Sequence, residues 1–234
     1  MRPAKSGATE RVRSTSGRYE VLTPIVSDQQ PYQVPATDTD ADGMLANAEW
    51  RVRELPHLAD AVLRDVARFL GASGHVWTPS RRLKLEQLLG SGGASSVSPV
   101  LDVVTSTPRE EVADAAIAVL GEIVTRDTVL ASGLAQALTI VGRYPPPLDQ
   151  PVAREVVVRA LGDAFSTAAR DMIRIALVSA LDDGSPRVRD AAVRAIVATN
   201  ERGLAGPLRA RGAVERDAVV KESIDEAIGD LEAL

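Results

Sequence analysis

The chain has 234 residues, 27 basic against 32 acidic side chains, no cysteine, and 45% hydrophobic but only 3% aromatic residues. That supplies the core of one or two domains from Ala, Val, Leu and Ile, a composition suited to closely packed helices. The lack of cysteine excludes disulfides, thiolate zinc sites and a cysteine nucleophile, His57 and His75 are too few for multi-histidine metal chemistry, and a net charge of −5 argues against a general nucleic-acid coat.

Residues 1–37 read as a disordered or extended, solvated arm. Arg2, Lys5, Arg11, Arg13 and Arg18 outnumber Glu10 and Glu20 as in a mitochondrial presequence, but Pro3, Gly7 and Gly17 spoil an amphipathic helix. No apolar h-region follows, and no run approaches the roughly 18–20 apolar residues of a bilayer span, so the expected location is cytoplasmic, with no membrane partner. Tyr19 to Val26 can form one short extended segment, which Pro24 confines to an edge. Pro31 and Pro35 keep the chain irregular after it.

Residues 38–49 read Asp38-Thr39-Asp40-Ala41-Asp42-Gly43-Met44-Leu45-Ala46-Asn47-Ala48-Glu49 and fit D-x-D-x-D-G-x5-E. The string resembles an EF-hand calcium loop. A hard cation wants six to eight oxygens, and alternating carboxylates on a tightly curling loop supply several of them. The resemblance implies Ca2+ held by Asp38, Asp40, Asp42, the carbonyl of Met44 and a bidentate Glu49, with Gly43 at the bend. Two features depart from the family: Pro31 and Pro35 stand where an incoming helix would run, and no second loop exists to pair with this one. The alternative is an acidic linker in which Asp42 or its neighbours cap a helix starting near Met44.

Helical spacing then dominates. A helix is expected over 46–55, stopped by Pro56. A second carries the stripe Leu58, Val62, Val66, Phe69 and Leu70 and ends at Gly71. A loop from Gly71 to Trp77 precedes a third helix, opened by Pro79 and running through Leu89. Gly90 to Ser96 reads as a flexible break, dividing a segment 38–90 from a domain 98–234; without a following Gly-Lys-Ser/Thr it is no phosphate loop.

The later region repeats itself. Segments starting at Val112, Ala153, Val188 and Val220, spaced 41, 35 and 32 residues apart, align as helices with small and aliphatic residues at i, i+4 and i+8. Each follows another helix, the first through Leu101 and Val104, the third through Ile175 to Leu181. Thr107-Pro108 and Ser185-Pro186 read as cap plus first-turn proline. With its Asp182-Asp183 turn, Pro186, Val188-Arg189, Ala191-Ala192 and Ala195-Ile196, the stretch Leu177–Ile196 resembles a HEAT repeat of the short, lyase-associated type. Ala113 departs from the arginine of that pattern, and Tyr144 to Leu148 lengthens the second unit's turn. The resemblance implies an all-α fold, a right-handed HEAT-like α-solenoid of stacked helix pairs, whose second helices line a concave face.

On that face Arg154, Arg159, Arg189, Arg194 and Lys221 would recur among Asp114, Glu155, Asp190, Glu222 and Asp225. They form either a mixed-charge groove for a protein partner or salt bridges between repeats. The functional expectation is a non-enzymatic scaffold or adaptor for protein–protein interaction. The alternative is a calcium-responsive module working through 38–49. DNA-glycosylase-like or bilin-lyase-like activity ranks below both: Trp50 and Trp77 precede the repeats, the repeat region is net acidic, and no nucleophile elbow or H-E-x-x-H is present. Nucleic acid is thus an unlikely partner; Arg81-Arg82-Leu83-Lys84 reads as a solvated helix face, and His57 as exposed or capping.

Overall fold

A computed structural model describes residues 32–33, 35–72 and 77–233. The expectations for residues 1–31, including the Tyr19–Val26 segment, and for His75 lie outside the described residues. Every regular element among them is helical. None is long and apolar enough to cross a membrane.

Thr37 starts α1 (Asp38–Glu54) through a capping box: its Oγ1 accepts from the Asp40 N–H, and the Asp40 carboxylate accepts from the Thr37 N–H. Pro56 lacks the N–H a continuing helix needs, so α1 stops at Glu54 and a 3₁₀ turn over Pro56–Leu58 leads into α2 (Ala59–Ala67). His57 is exposed on that turn. Thr78 caps α3 (Pro79–Ser91), and its Pro79 occupies the first helical position, where a missing N–H costs nothing.

Gly92 and Gly93, the latter with φ +58°, turn the chain directly into α4 (Ala94–Ser106). The expected break at 90–96 is thus a tight corner. Its glycines permit close approach: a Cβ on Gly92 would lie 2.5 Å from Leu63, and one on Gly90 would meet Glu122. Ser96 is buried, its hydroxyl donating to the Leu89 carbonyl. α2 packs on α4 and α3 on α5 across this corner, and residues 31–234 fall into one compact unit.

The remaining elements are α5 (Glu110–Arg126), α6 (Thr128–Leu138), α7 (Pro151–Asp163), α8 (Arg170–Ala180), α9 (Pro186–Ala198), a 3₁₀ turn at Arg202–Leu204, α10 (Ala205–Gly212) and α11 (Ala218–Ala233). Ser185-Pro186 stands at the start of α9 as expected. Thr107-Pro108 does not begin α5: Arg109 is its N-cap, because Pro108 lies two residues ahead of the first helical position. The four aligned segments fall within α5, α7, α9 and α11. These second helices pack in succession, α3 on α5, α5 on α7, α7 on α9 and α9 on α11. Among the helices that precede them, α2 packs on α4 and α6 on α8, while α4 also leans on α7.

Aliphatic side chains fill the space between helices, with Leu63, Leu89, Leu120, Leu161, Ile173, Leu177 and Ile196 fully buried. Alanines such as Ala116, Ala153 and Ala192 let helices approach, and a Cβ on Gly162 would come within 2.9 Å of the Ala195 Cβ. Phe69 stacks on Trp77 at 5.4 Å beside α2 and α3.

Candidate partner-binding face and its arginine rungs

Arg154 and Arg189, expected on an exposed binding face, are buried. Each is the fourth residue of its helix, α7 or α9. Arg154 Nε and Nη2 donate to Asp183 at 2.8 and 3.0 Å, while Nη1 donates to the carbonyls of Leu148 and Asp149 at 2.8 and 3.0 Å. Arg189 repeats this arrangement one unit later: Nε and Nη2 donate to Glu215 at 2.8 Å each, and Nη1 donates to the carbonyls of Asp183 and Gly184. A planar guanidinium thereby satisfies its own unit's turn and the carboxylate of the next turn together. These are salt bridges between units, the second of the two roles open to these arginines.

The carboxylates are saturated in turn. Asp183 also accepts from Tyr144 Oη at 2.9 Å and the Ser185 N–H at 2.8 Å, and the Arg154 guanidinium lies 4.3 Å over the Tyr144 ring. Burial disfavours the charged form of Asp183, yet the bonds from Arg154, Ser185 and Tyr144 outweigh it and hold its pKa below the ordinary value. Tyr144 is pushed up to about 12, first by burial and then by Asp183. Glu215 is held at about 2, chiefly by Arg189 and against burial, with Arg211 and the N–H groups of Arg216 and Asp217 adding bonds.

The rung has a sequence signal: an acid six residues before the fourth residue of the second helix, as in Asp183 and Arg189. Glu215 and Lys221 repeat that spacing. At the equivalent positions one unit earlier stand Ala113 in α5 and Leu148 before α7. The cation and the acid that would meet there are both missing, so Ala113 loses its arginine together with the partner it would need.

Other expected residues remain at the surface. Arg159 reaches Asp114 of α5 at 3.3 Å, Arg194 pairs with Asp190 at 2.8 Å, and Lys221 is exposed on α11. Arg187 pairs with Glu155 of α7, and Ser223 of α11 donates to Asp190 of α9. Between α9 and α11 runs a groove of about 370 Å³ lined by Val193, Arg194, Val197, Ser223, Glu226, Ala227 and Asp230. Arginine stands on one wall and two acids on the other, over an aliphatic floor.

The expected calcium loop is helical from Asp38 onward. Arg81 of α3 donates Nε and Nη2 to Asp42 at 3.0 and 2.9 Å and Nη1 to Asp38 at 2.8 Å. Its hydrogen bonds hold the Asp42 carboxyl below the usual range. Asp40 is engaged in the capping box, Met44, whose carbonyl was the expected ligand, lies within α1, and Glu49 lines a groove with Asp42, Lys84 and Gln87. Among the described residues no three His, Cys, Asp or Glu side chains stand close enough to hold a metal ion. The string Thr37-Asp38-Thr39-Asp40 carries the competing signal, since an acid three residues after threonine is a capping box.

No family model and no curated protein matches this sequence. A solved engineered protein, a structural genomics target, is 15% identical over 84% of this chain and 90% of its own, with a TM-score of 0.38. A score at that level does not define a shared fold.

Proposed function

We propose that the chain is a HEAT-like α-solenoid acting as a non-enzymatic interaction scaffold that binds a protein partner through its second-helix face. The observation that carries this reading is the succession α3–α5–α7–α9–α11, tied by the same arginine rung at two adjacent turns. Stacked repeats present a long, regular surface suited to gripping extended polar segments. Arg154 and Arg189 maintain that surface from inside; Arg159, Arg194 and Lys221, with the groove between α9 and α11, are the contact candidates. The partner chemistry that fits is a polar peptide or loop bearing both signs of charge.

Capture of binding proteins by the full chain, followed by chemical cross-linking, tests this. Cross-links from the captured protein should concentrate on α7, α9 and α11. Arg194→Glu combined with Glu226→Lys should abolish capture while leaving the melting temperature unchanged. Capture indifferent to both substitutions, or cross-links confined to the first helices, would overturn the assignment.

A further inference from the structure

The helices α8 and α10 leave a space between them. α8 packs on α6, α7 and α9, and α10 packs on α11. Between the two lies an open groove of about 520 Å³, lined by Ile175 and Val178 of α8 together with Leu204 and Pro207. Ile175 is 52% exposed there, a large aliphatic side chain facing water beside buried Leu204. One end of the groove is charged. Arg170 and Arg174, one turn apart on α8, both reach Glu201, at 3.5 Å each. That separation is longer than a normal hydrogen bond, and Glu201 Oε2 is buried without one. The Phe165 ring lies 5.0 Å from the Arg170 guanidinium and steadies it. Arg202 is exposed beside Glu201, and Asp171, which also lines the groove, pairs with no arginine among the described residues. Three guanidiniums therefore share two carboxylates.

We infer that this groove docks a short amphipathic segment of a partner protein, whose aliphatic side chain seats on Ile175, Val178 and Pro207 and whose carboxylate accepts from Arg174. Charge complementarity selects this occupant. Arg154 and Arg189 commit their donors to buried acids and turn carbonyls, whereas Arg170 and Arg174 donate no hydrogen bond among the described residues. The group that matches a free guanidinium fork is a carboxylate, which accepts two parallel N–H bonds. The surplus charge at this end is positive, so an acidic segment is attracted and a basic one repelled. Arg174 and Val178 stand one turn apart on α8, so a helical segment lying along it would carry its acid and its aliphatic residue one turn apart as well. The groove is open to solvent. A small aliphatic acid would keep one side in water there, whereas a protein segment brings the backbone and neighbouring side chains that cover Ile175. None of these residues belongs to α5, α7, α9 or α11, so the site is separate from the partner-binding face proposed above and does not rest on it.

The probe is an alanine-rich helical peptide of about 15 residues carrying Leu and Glu one turn apart. Titrated into the isotope-labelled full chain, it should move the methyl resonances of Ile175, Val178 and Leu204 in a saturable way. Replacing the peptide's Glu by Gln should weaken binding by about tenfold, and Arg174→Gln in the chain should do the same. The two changes together should weaken it little more than either alone, because they remove one shared contact. Ile175→Asp should abolish binding, and since the position is exposed, the melting temperature should not change. A peptide that leaves these methyls unmoved at millimolar concentration overturns the inference, as does binding indifferent to both the peptide's Glu and Arg174. Octanoate binding as tightly as the peptide would also overturn it, by making the site one for a small acid. Shifts confined to the groove between α9 and α11 would overturn it while leaving the proposed function standing.

Discussion

Arg81, between α1 and α3, and Arg189, between α9 and the turn before α11, both grip a carboxylate with two parallel N–H bonds. Their local geometry is nearly the same. The two arginine side chains are almost equally covered, at 11% and 9% exposed. Their acids differ: the carboxylates of Asp38 and Asp42 are more than half exposed, whereas Glu215 is buried and filled by other donors. Water can replace Arg81 as a partner for its acids. It cannot replace Arg189 without opening the stack. Burial of the carboxylate partner, more than bond length, decides which of the two arginines the fold depends on.

The largest test of this contrast is Asp183→Ala, which strands the Arg154 guanidinium and removes the acceptor of Tyr144 and Ser185. Urea denaturation should register a loss of about 3–5 kcal/mol. Acid should produce the next effect. The folded pKa values of Asp183 and Glu215 lie below their ordinary ones, so their contribution is complete above the unfolded values and disappears as pH falls. For Glu215 that window runs from 4.5 down to about 2, and thermal melts across it should lose stability steadily. An Arg189→Met variant, which leaves Glu215 without its chief partner, should flatten that slope.

Gly162→Ala probes the packing beside the rungs. The added methyl would lie 2.9 Å from the Ala195 Cβ and 3.0 Å from its Cα, forcing α7 away from α9 at a cost of about 1–3 kcal/mol. The smallest effect belongs to Arg81→Ala, which should shift the melting temperature by no more than about 2 °C. Calcium tests the same corner: with Asp38 and Asp42 held by Arg81, millimolar Ca2+ should leave the helicity of α1 unchanged. A rise in melting temperature specific to calcium, and lost in Asp40→Ala, would break the contrast by making the exposed cluster the more consequential one.

The helices were legible because their signals are local. Pro56, Pro79 and Pro186 mark ends or starts, and aliphatic periodicity identifies α5, α7, α9 and α11. The rungs were only half legible, since their partners stand 29 and 26 residues away and only packing brings them together. Salt bridges between units were open to Arg154 and Arg189 on sequence grounds, but which acids they take required the structure. Residues 38–49 were ambiguous for a different reason. Acids spaced for a cation also suit the first turns of a helix, where Asp38 and Asp40 complement its dipole. Arg81, some 40 residues along the chain, then pairs with Asp38 and Asp42 on that helix. The α3–α4 corner was hidden because glycine needed for close contact looks the same in sequence as glycine in a linker.

The missing rung at Ala113 and Leu148 bears on how the molecule comes apart. Separating α7 from the units that follow strands Arg154, and separating α9 from α11 strands Arg189, so those joints resist parting singly. Between α5 and α7 no buried ion is orphaned by separation. Partial unfolding should divide the chain there, with hydrogen exchange reporting one cooperative block after residue 150 and an earlier one that opens independently. An alanine and a leucine where their counterparts carry charge would thus mark the molecule's line of cleavage into folding units.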